Sequence, residues 1–263
     1  MSATIFLLGD GIVDNFNWLE DKSRDLRTDL TSKGFTVHNF AVDNTRVPDI
    51  TKGVSPDRSL CNMRSYNYPL DIDGKLYPLR LLTNTINTNK AFQPAYNRVL
   101  PAEEETNMVV LSVGGNDLND KTSRMILGFE TFIRSVLTEQ FKAEYDKVLQ
   151  MVRSSCCKIV LVSCYLPYMG RGSKYDTWQG SATKMVERWN EFIHSLGEKY
   201  NIPVLDLNRT FDIYDRSHYG LTEIRASNKS SKCIADCLAY IYKHYRGYHA
   251  YYAPSCGSRI VRE

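Results

Sequence analysis

Ile5-Phe6-Leu7-Leu8-Gly9-Asp10-Gly11-Ile12-Val13-Asp14-Asn15 opens with an apolar run that stops at a Gly-Asp-Gly turn. A run of large apolar residues with no polar alternation is the pattern of a strand buried on both faces, and its abrupt end at small turn formers marks where the chain leaves the sheet. Val109-Val110-Leu111-Ser112-Val113-Gly114-Gly115-Asn116-Asp117 repeats the pattern. Working outward, strands are expected at Thr4–Leu8, Thr36–Val42, Met108–Val113, Lys158–Tyr165 and Pro203–Leu207. Between them, apolar residues recur at three- and four-residue spacing, which predicts helices over Leu19–Lys33 (with Gly34 as C-cap), Ile126–Arg153, Trp178–Tyr200 and Ser227–Tyr245. Strands alternating with helices predict an α/β fold, a parallel sheet covered on both faces.

The interval Thr51–Asn107 breaks this rhythm and is too long for a structureless loop. Tyr68–Leu79 within it reads as a hairpin around Asp73-Gly74. The insertion follows the second strand, near the end of the sheet where ligands bind, so it is either a pocket wall or lid or a surface elaboration. We expect one domain over 1–263, with this insertion at about 51–107 and a Tyr-rich C-terminal tail from about 246.

The 263 residues, 43% hydrophobic and 24% charged, fit a soluble globular protein. The net charge of +3 argues against a polyanion partner, so no nucleic acid is expected. Neither a signal peptide nor a membrane-spanning run is seen, which predicts a cytoplasmic protein with no membrane partner. The seven cysteines are odd in number and irregularly spaced, and read as reduced, mostly buried thiols. Cys233 and Cys237 lack a matching pair, so no metal is expected.

The Gly9-Asp10-Gly11-x-x-Asp14-Asn15 and Gly114-Gly115-Asn116-Asp117 segments resemble the first and third conserved blocks of the SGNH hydrolases, the GDSL esterase and lipase family. The resemblance implies a three-layer flavodoxin-like fold of about five parallel strands, hydrolysis of carboxylic esters, and no cofactor. It also assigns positions. The family nucleophile, a serine, falls at Gly11, where a glycine keeps the backbone donor and removes the hydroxyl. Asn116 is the oxyanion donor, with Asp10 and Gly115 beside it. Asn44, in Ala41-Val42-Asp43-Asn44-Thr45, stands where the second block usually has glycine. Ser112, inside the third strand, reads as packing.

The base has two registers. Asp215-Arg216-Ser217-His218 fits Asp-x-x-His before the last helix. Counting back from Ile234-Ala235 instead lands on Arg225, in Glu223-Ile224-Arg225-Ala226-Ser227, the register we favour. An arginine, with a pKa above about 12, is no general base. His38, His194, His244 and His249 carry no motif.

The resemblance, with these departures, implies an SGNH-like protein inactive or strongly impaired in serine ester hydrolysis that keeps a pocket for an acyl or sugar ester or an anion. Its small-molecule ligand would be an ester or an acylated carbohydrate. Two alternatives stand beside this: an active esterase or O-deacetylase whose serine was replaced at Gly11, and a protein-interaction module using the Tyr- and Arg-containing stretch Tyr240–Tyr252. The bland reading of that stretch is the amphipathic end of a helix packing on its own sheet.

Overall fold

Alternate residues of the apolar runs pack into opposite layers, as the two-residue period of a strand requires. The computed structural model describes residues 3–15, 19–41, 45–52, 107–120, 137–153, 158–173, 175–176 and 179–263. The parallel strands β1 (Thr4–Gly9), β2 (Thr36–Asn39), β3 (Asn107–Ser112), β4 (Lys158–Val162) and β5 (Val204–Leu205) occur in chain order. Phe6, Leu8, Val109, Leu111, Ile159 and Leu161 face one core; Ile5, Leu7, Met108, Val110, Val160 and Val162 face the other.

Helices α1 (Leu26–Ser32), α2 (Val47–Lys52), α3 (Gly115–Asp120), α4 (Glu139–Arg153), α5 (Gln179–Tyr200), α6 (Leu207–Thr210) and α7 (Asn228–Lys243) connect and cover the strands. Helix α4 buries Phe141, Tyr145, Val148, Leu149 and Val152 against the first core, and α5 adds Val186, Trp189, Ile193 and Leu196. Leu26 and Leu30 of α1, and Ile234, Leu238 and Ile241 of α7, fill the second core. Each such side chain contributes about 1.5–3 kcal/mol by leaving water, so the fold rests mainly on these two layers.

The sheet order is β2-β1-β3-β4-β5-β6-β7. The last two strands depart from expectation. Helix α7 stops at Lys243, and β6 (Ala250–Tyr252) runs parallel to β5, followed by the antiparallel edge strand β7 (Val261–Arg262). The residues from 246 therefore form no appended tail. Tyr251 is fully buried and the Tyr248 hydroxyl meets His194 at 3.1 Å; just before this stretch, the Tyr245 hydroxyl bonds both backbone groups of Ile159.

Other boundaries shift for local reasons. Residues 19–25 do not join α1, because Asp25 is extended and its carboxylate caps Thr28 N–H. Strand β5 is two residues long because Asp206 caps α6, accepting from Arg209 N–H. Asn44, Asp73-Gly74, Cys156-Cys157 and residues 126–136 of the predicted helix lie outside the described residues. Among those described, no helix is long and apolar enough to cross a membrane.

Candidate functional site

The chain passes from β1 to β2 on one side and returns to β3 on the other, so the carboxyl ends of β1 and β3 flank the point where the winding direction reverses. Ligand clefts of open α/β sheets form there. Two glycines let the chain turn at these ends. Gly9 has φ +128°, and a Cβ on it would lie 1.5 Å from the Ser112 carbonyl oxygen. Gly114 has φ +113°, and a Cβ there would lie 2.0 Å from the Trp189 ring. No L side chain fits either place.

Asp10 closes the turn. Its amide donates to the Ser112 carbonyl at 2.8 Å, and its carbonyl accepts from Val13 and Asp14 N–H. Its Oδ1 accepts from Ile12 N–H and from the Ser112 hydroxyl, both at 3.1 Å. Ser112, read from sequence as packing, is fully buried and also ties β1 to β3 through this bond. Gly11 is not among the glycines with positive φ, so its backbone conformation is one that L residues adopt.

After β3, Asn116 Nδ2 donates to the Thr45 carbonyl at 3.1 Å, and Asp117 Oδ2 accepts from Val47 N–H at 3.0 Å. These two side chains anchor the segment that follows β2. One N–H of the Asn116 amide is thereby used, and a second remains in the donor set of an Asn side chain.

Asp10, Gly115 and Asn116 line a cleft of about 150 Å³ together with Arg225. Cys164 and Tyr165 at the end of β4 line it as well, and Leu118, Met185 and Val186 supply an apolar wall. An ideal Cβ on Gly115 would sit 3.4 Å from Asp10 Oδ2 and 3.6 Å from Cys164 Sγ, so these groups crowd one end. Burial, reinforced by the Asp10 and Asp117 charges, pushes the Cys164 thiol well above its ordinary pKa. It is a poor nucleophile for that reason.

The last loop delivers Arg225 on a firmly held backbone. The Glu223 carbonyl accepts from Tyr168 N–H at 2.7 Å, and the Ile224 carbonyl from the Tyr165 hydroxyl at 3.1 Å. The Arg225 carbonyl accepts from Gly220 N–H at 2.7 Å, and Ala226 pairs with Tyr219 in an isolated antiparallel bridge. Tyr165 feels both cleft charges: burial raises its hydroxyl pKa, Arg225 opposes the rise and Asp10 adds to it.

His218 goes elsewhere. Its ring is fully buried and lies outside the lining of the cleft. Nδ1 accepts from Asp212 N–H at 2.8 Å, which leaves the ring proton of the neutral form on Nε2, 3.5 Å from Asp215 Oδ2. Burial alone would lower the His218 pKa, but the neighbouring Cys256 thiol and Asp215 carboxylate raise it overall. Asp215 caps a short 3₁₀ turn by accepting from Ser217 N–H and also meets Lys229 Nζ at 3.0 Å. These bonds to Ser217 and Lys229 hold its carboxyl below the usual range. The pair Asp215–His218 thus pins the loop to α7, where the Ser227 N–H and Ser230 hydroxyl hold the His218 carbonyl at the start of that helix.

Two features escaped the sequence. Asn190 bonds both backbone groups of Cys164, donating to its carbonyl at 2.9 Å and accepting from its N–H at 3.0 Å. The available signal was a polar residue on the otherwise apolar stripe Val186, Trp189, Ile193. Second, Ser163, Asp206 and His194 meet behind the cleft, with Asp206 accepting from Ser163 Oγ at 3.3 Å and contacting His194 Nε2 at 3.3 Å. Here the acid sits between serine and histidine, so the imidazole cannot take the serine proton as a hydrolytic triad requires. Among the described residues, no group of His, Cys, Asp and Glu side chains could hold a metal ion.

Solved structures with this fold include the lipase Lip_vut3 from a goat rumen metagenome, at 11% identity and TM-score 0.60, covering 91% of this chain and 97% of that one. The native aryl esterase of M. smegmatis is similar at 11% identity and TM-score 0.55, with 92% and 99% coverage. A carbohydrate acetylesterase from Sinorhizobium meliloti follows at 10% identity and TM-score 0.50, with 91% and 100% coverage. No curated protein sequence matches the chain. The sequence model of the GDSL-like Lipase/Acylhydrolase family matches residues 7–226, from within β1 to the loop that carries Arg225. The chain belongs to the GDSL-like lipase/acylhydrolase (SGNH) family.

Proposed function

We propose that this family member binds an acyl compound or sugar ester, or the corresponding anion, in the cleft between β1, β3 and β4, and is inactive or strongly impaired in serine ester hydrolysis. One observation carries the reading. The residue that follows Gly9-Asp10 in the chain is a glycine, and the cleft lined by Asp10, Gly115 and Asn116 receives Arg225 from the last loop, while His218 is buried and outside its lining. An acyl-enzyme needs a hydroxyl and a base that takes its proton. Loss of the nucleophile alone costs on the order of a millionfold in turnover, and oxyanion donors and binding retain roughly 10³–10⁴-fold over water.

A second reading, an esterase whose serine was replaced, draws on the backbone at Gly11: its φ is not positive, so the backbone conformation there is open to L residues. Assays of the chain and of Gly11→Ser on short-chain nitrophenyl esters separate the two. We expect no turnover above background in either form, since Arg225 cannot act as base. Hydrolysis by the unaltered chain would overturn the proposal. Hydrolysis by Gly11→Ser alone would favour the replaced-serine reading.

A further inference from the structure

Resting on that reading, we propose that the ligand head group is a carboxylate, held by the Arg225 guanidinium and the Asn116 amide, with a short apolar chain against Leu118, Met185 and Val186. The cleft has a charged end, where Asp10 and Arg225 line it, and an apolar wall. An oxyanion donor set serves a charge that develops only during reaction, whereas a guanidinium presents a permanent one. Its planar fork of five N–H donors matches two carboxylate oxygens and can serve a second acceptor at the same time.

Position matters as much as charge. Residues 223–226 are tied to the loop after β4 and to residues 219–220 through Tyr168, Tyr165, Gly220 and Tyr219, so Arg225 starts from a fixed Cα. A preorganised cation loses less freedom on binding. Asp10 is the countervailing charge in the cleft. Its Oδ1 already accepts from Ile12 N–H and the Ser112 hydroxyl, which directs that oxygen's lone pairs into the turn. If Arg225 served only to balance Asp10, the cleft would prefer a neutral head group. This is the competing outcome.

Calorimetric titration of the full chain with hexanoate, its neutral isostere hexanamide and methyl hexanoate decides the matter. Hexanoate is expected to bind at least about tenfold more tightly than hexanamide, the difference a charged hydrogen bond typically makes. Arg225→Gln is expected to erase that preference by weakening hexanoate binding more than hexanamide binding. Arg225→Lys keeps the charge without the fork, and is expected to retain only part of the preference. Equal affinity for hexanoate and hexanamide on the unaltered chain overturns the proposal without any variant. So does a preference that persists in Arg225→Gln. If the ester binds and hexanoate does not, the carboxylate falls and the acyl-binding reading stands; if none of the three binds, both fall.

Discussion

The two sides of the cleft are built in different ways. On the β1–β3 side, the turn at Gly9–Val13 and the segment Ser112–Asp117 are locked by backbone approach and buried bonds among Asp10, Ser112, Asn116 and Thr45. On the side of the last loop, Arg225 and His218 are separated by a short reversal, and the loop's own bonds decide which of them reaches the cleft. One side is fixed by steric necessity and the other by a choice among polar contacts. The proposed function rests on this contrast: the first side holds its shape through local sterics, and the second sets which residue of the loop lines the cleft.

The largest test of this contrast is Gly9→Ala. A methyl placed 1.5 Å from a carbonyl oxygen, at a φ that L residues avoid, should destabilise by roughly 3 kcal/mol or more, read as a fall in denaturant midpoint or loss of folded protein. Survival with an unchanged midpoint would show that the β1 turn is more plastic than its geometry implies.

Asn190→Ala should come next, at about 2–3 kcal/mol, because it strands the buried N–H of Cys164 and leaves its carbonyl only the Ser163 hydroxyl at 3.3 Å. The same midpoint measurement checks it. On the loop side, Tyr165→Phe removes one bond to the Ile224 carbonyl and should cost about 1 kcal/mol. Its more specific mark is faster hydrogen exchange at Gly220 N–H, which the Arg225 carbonyl accepts. Unchanged exchange there would mean that Tyr165 does not position the Arg225 segment.

The smallest effect lies far from the cleft, where Glu263 beside β7 accepts from Arg209. The bonds to Arg209 and then Tyr252 lower its pKa to about 2. A depressed folded-state value means that its contribution is present above the ordinary pKa of about 4.5 and fades as pH falls through about 2. The difference in unfolding midpoint between the chain and Glu263→Gln should therefore narrow from about pH 6 to about pH 2. A gap that widens in acid would contradict the sign.

Much of the donor side was legible because it is local: an apolar run, then Gly-Asp or Gly-Gly-Asn, encodes strand and turn within ten residues. Strand β6 was not, because Ala250-Tyr251-Tyr252 has no alternation and follows a helix whose tyrosines continue the amphipathic pattern. What makes it a strand is parallel pairing with Val204 and Leu205, a contact across more than forty positions. Asn190 was hidden for the same reason: its partner Cys164 is remote in sequence.

By itself, the sequence determined the α/β layering, the two glycine-dependent turns and the absence of a serine at position 11, since each follows from local sterics, periodicity or residue identity. Only the tertiary structure decided that Arg225 enters the cleft and His218 does not. That outcome depends on hydrogen bonds from Tyr165, Tyr168, Gly220 and Ser230, which form only once β4, the loop and α7 are packed together.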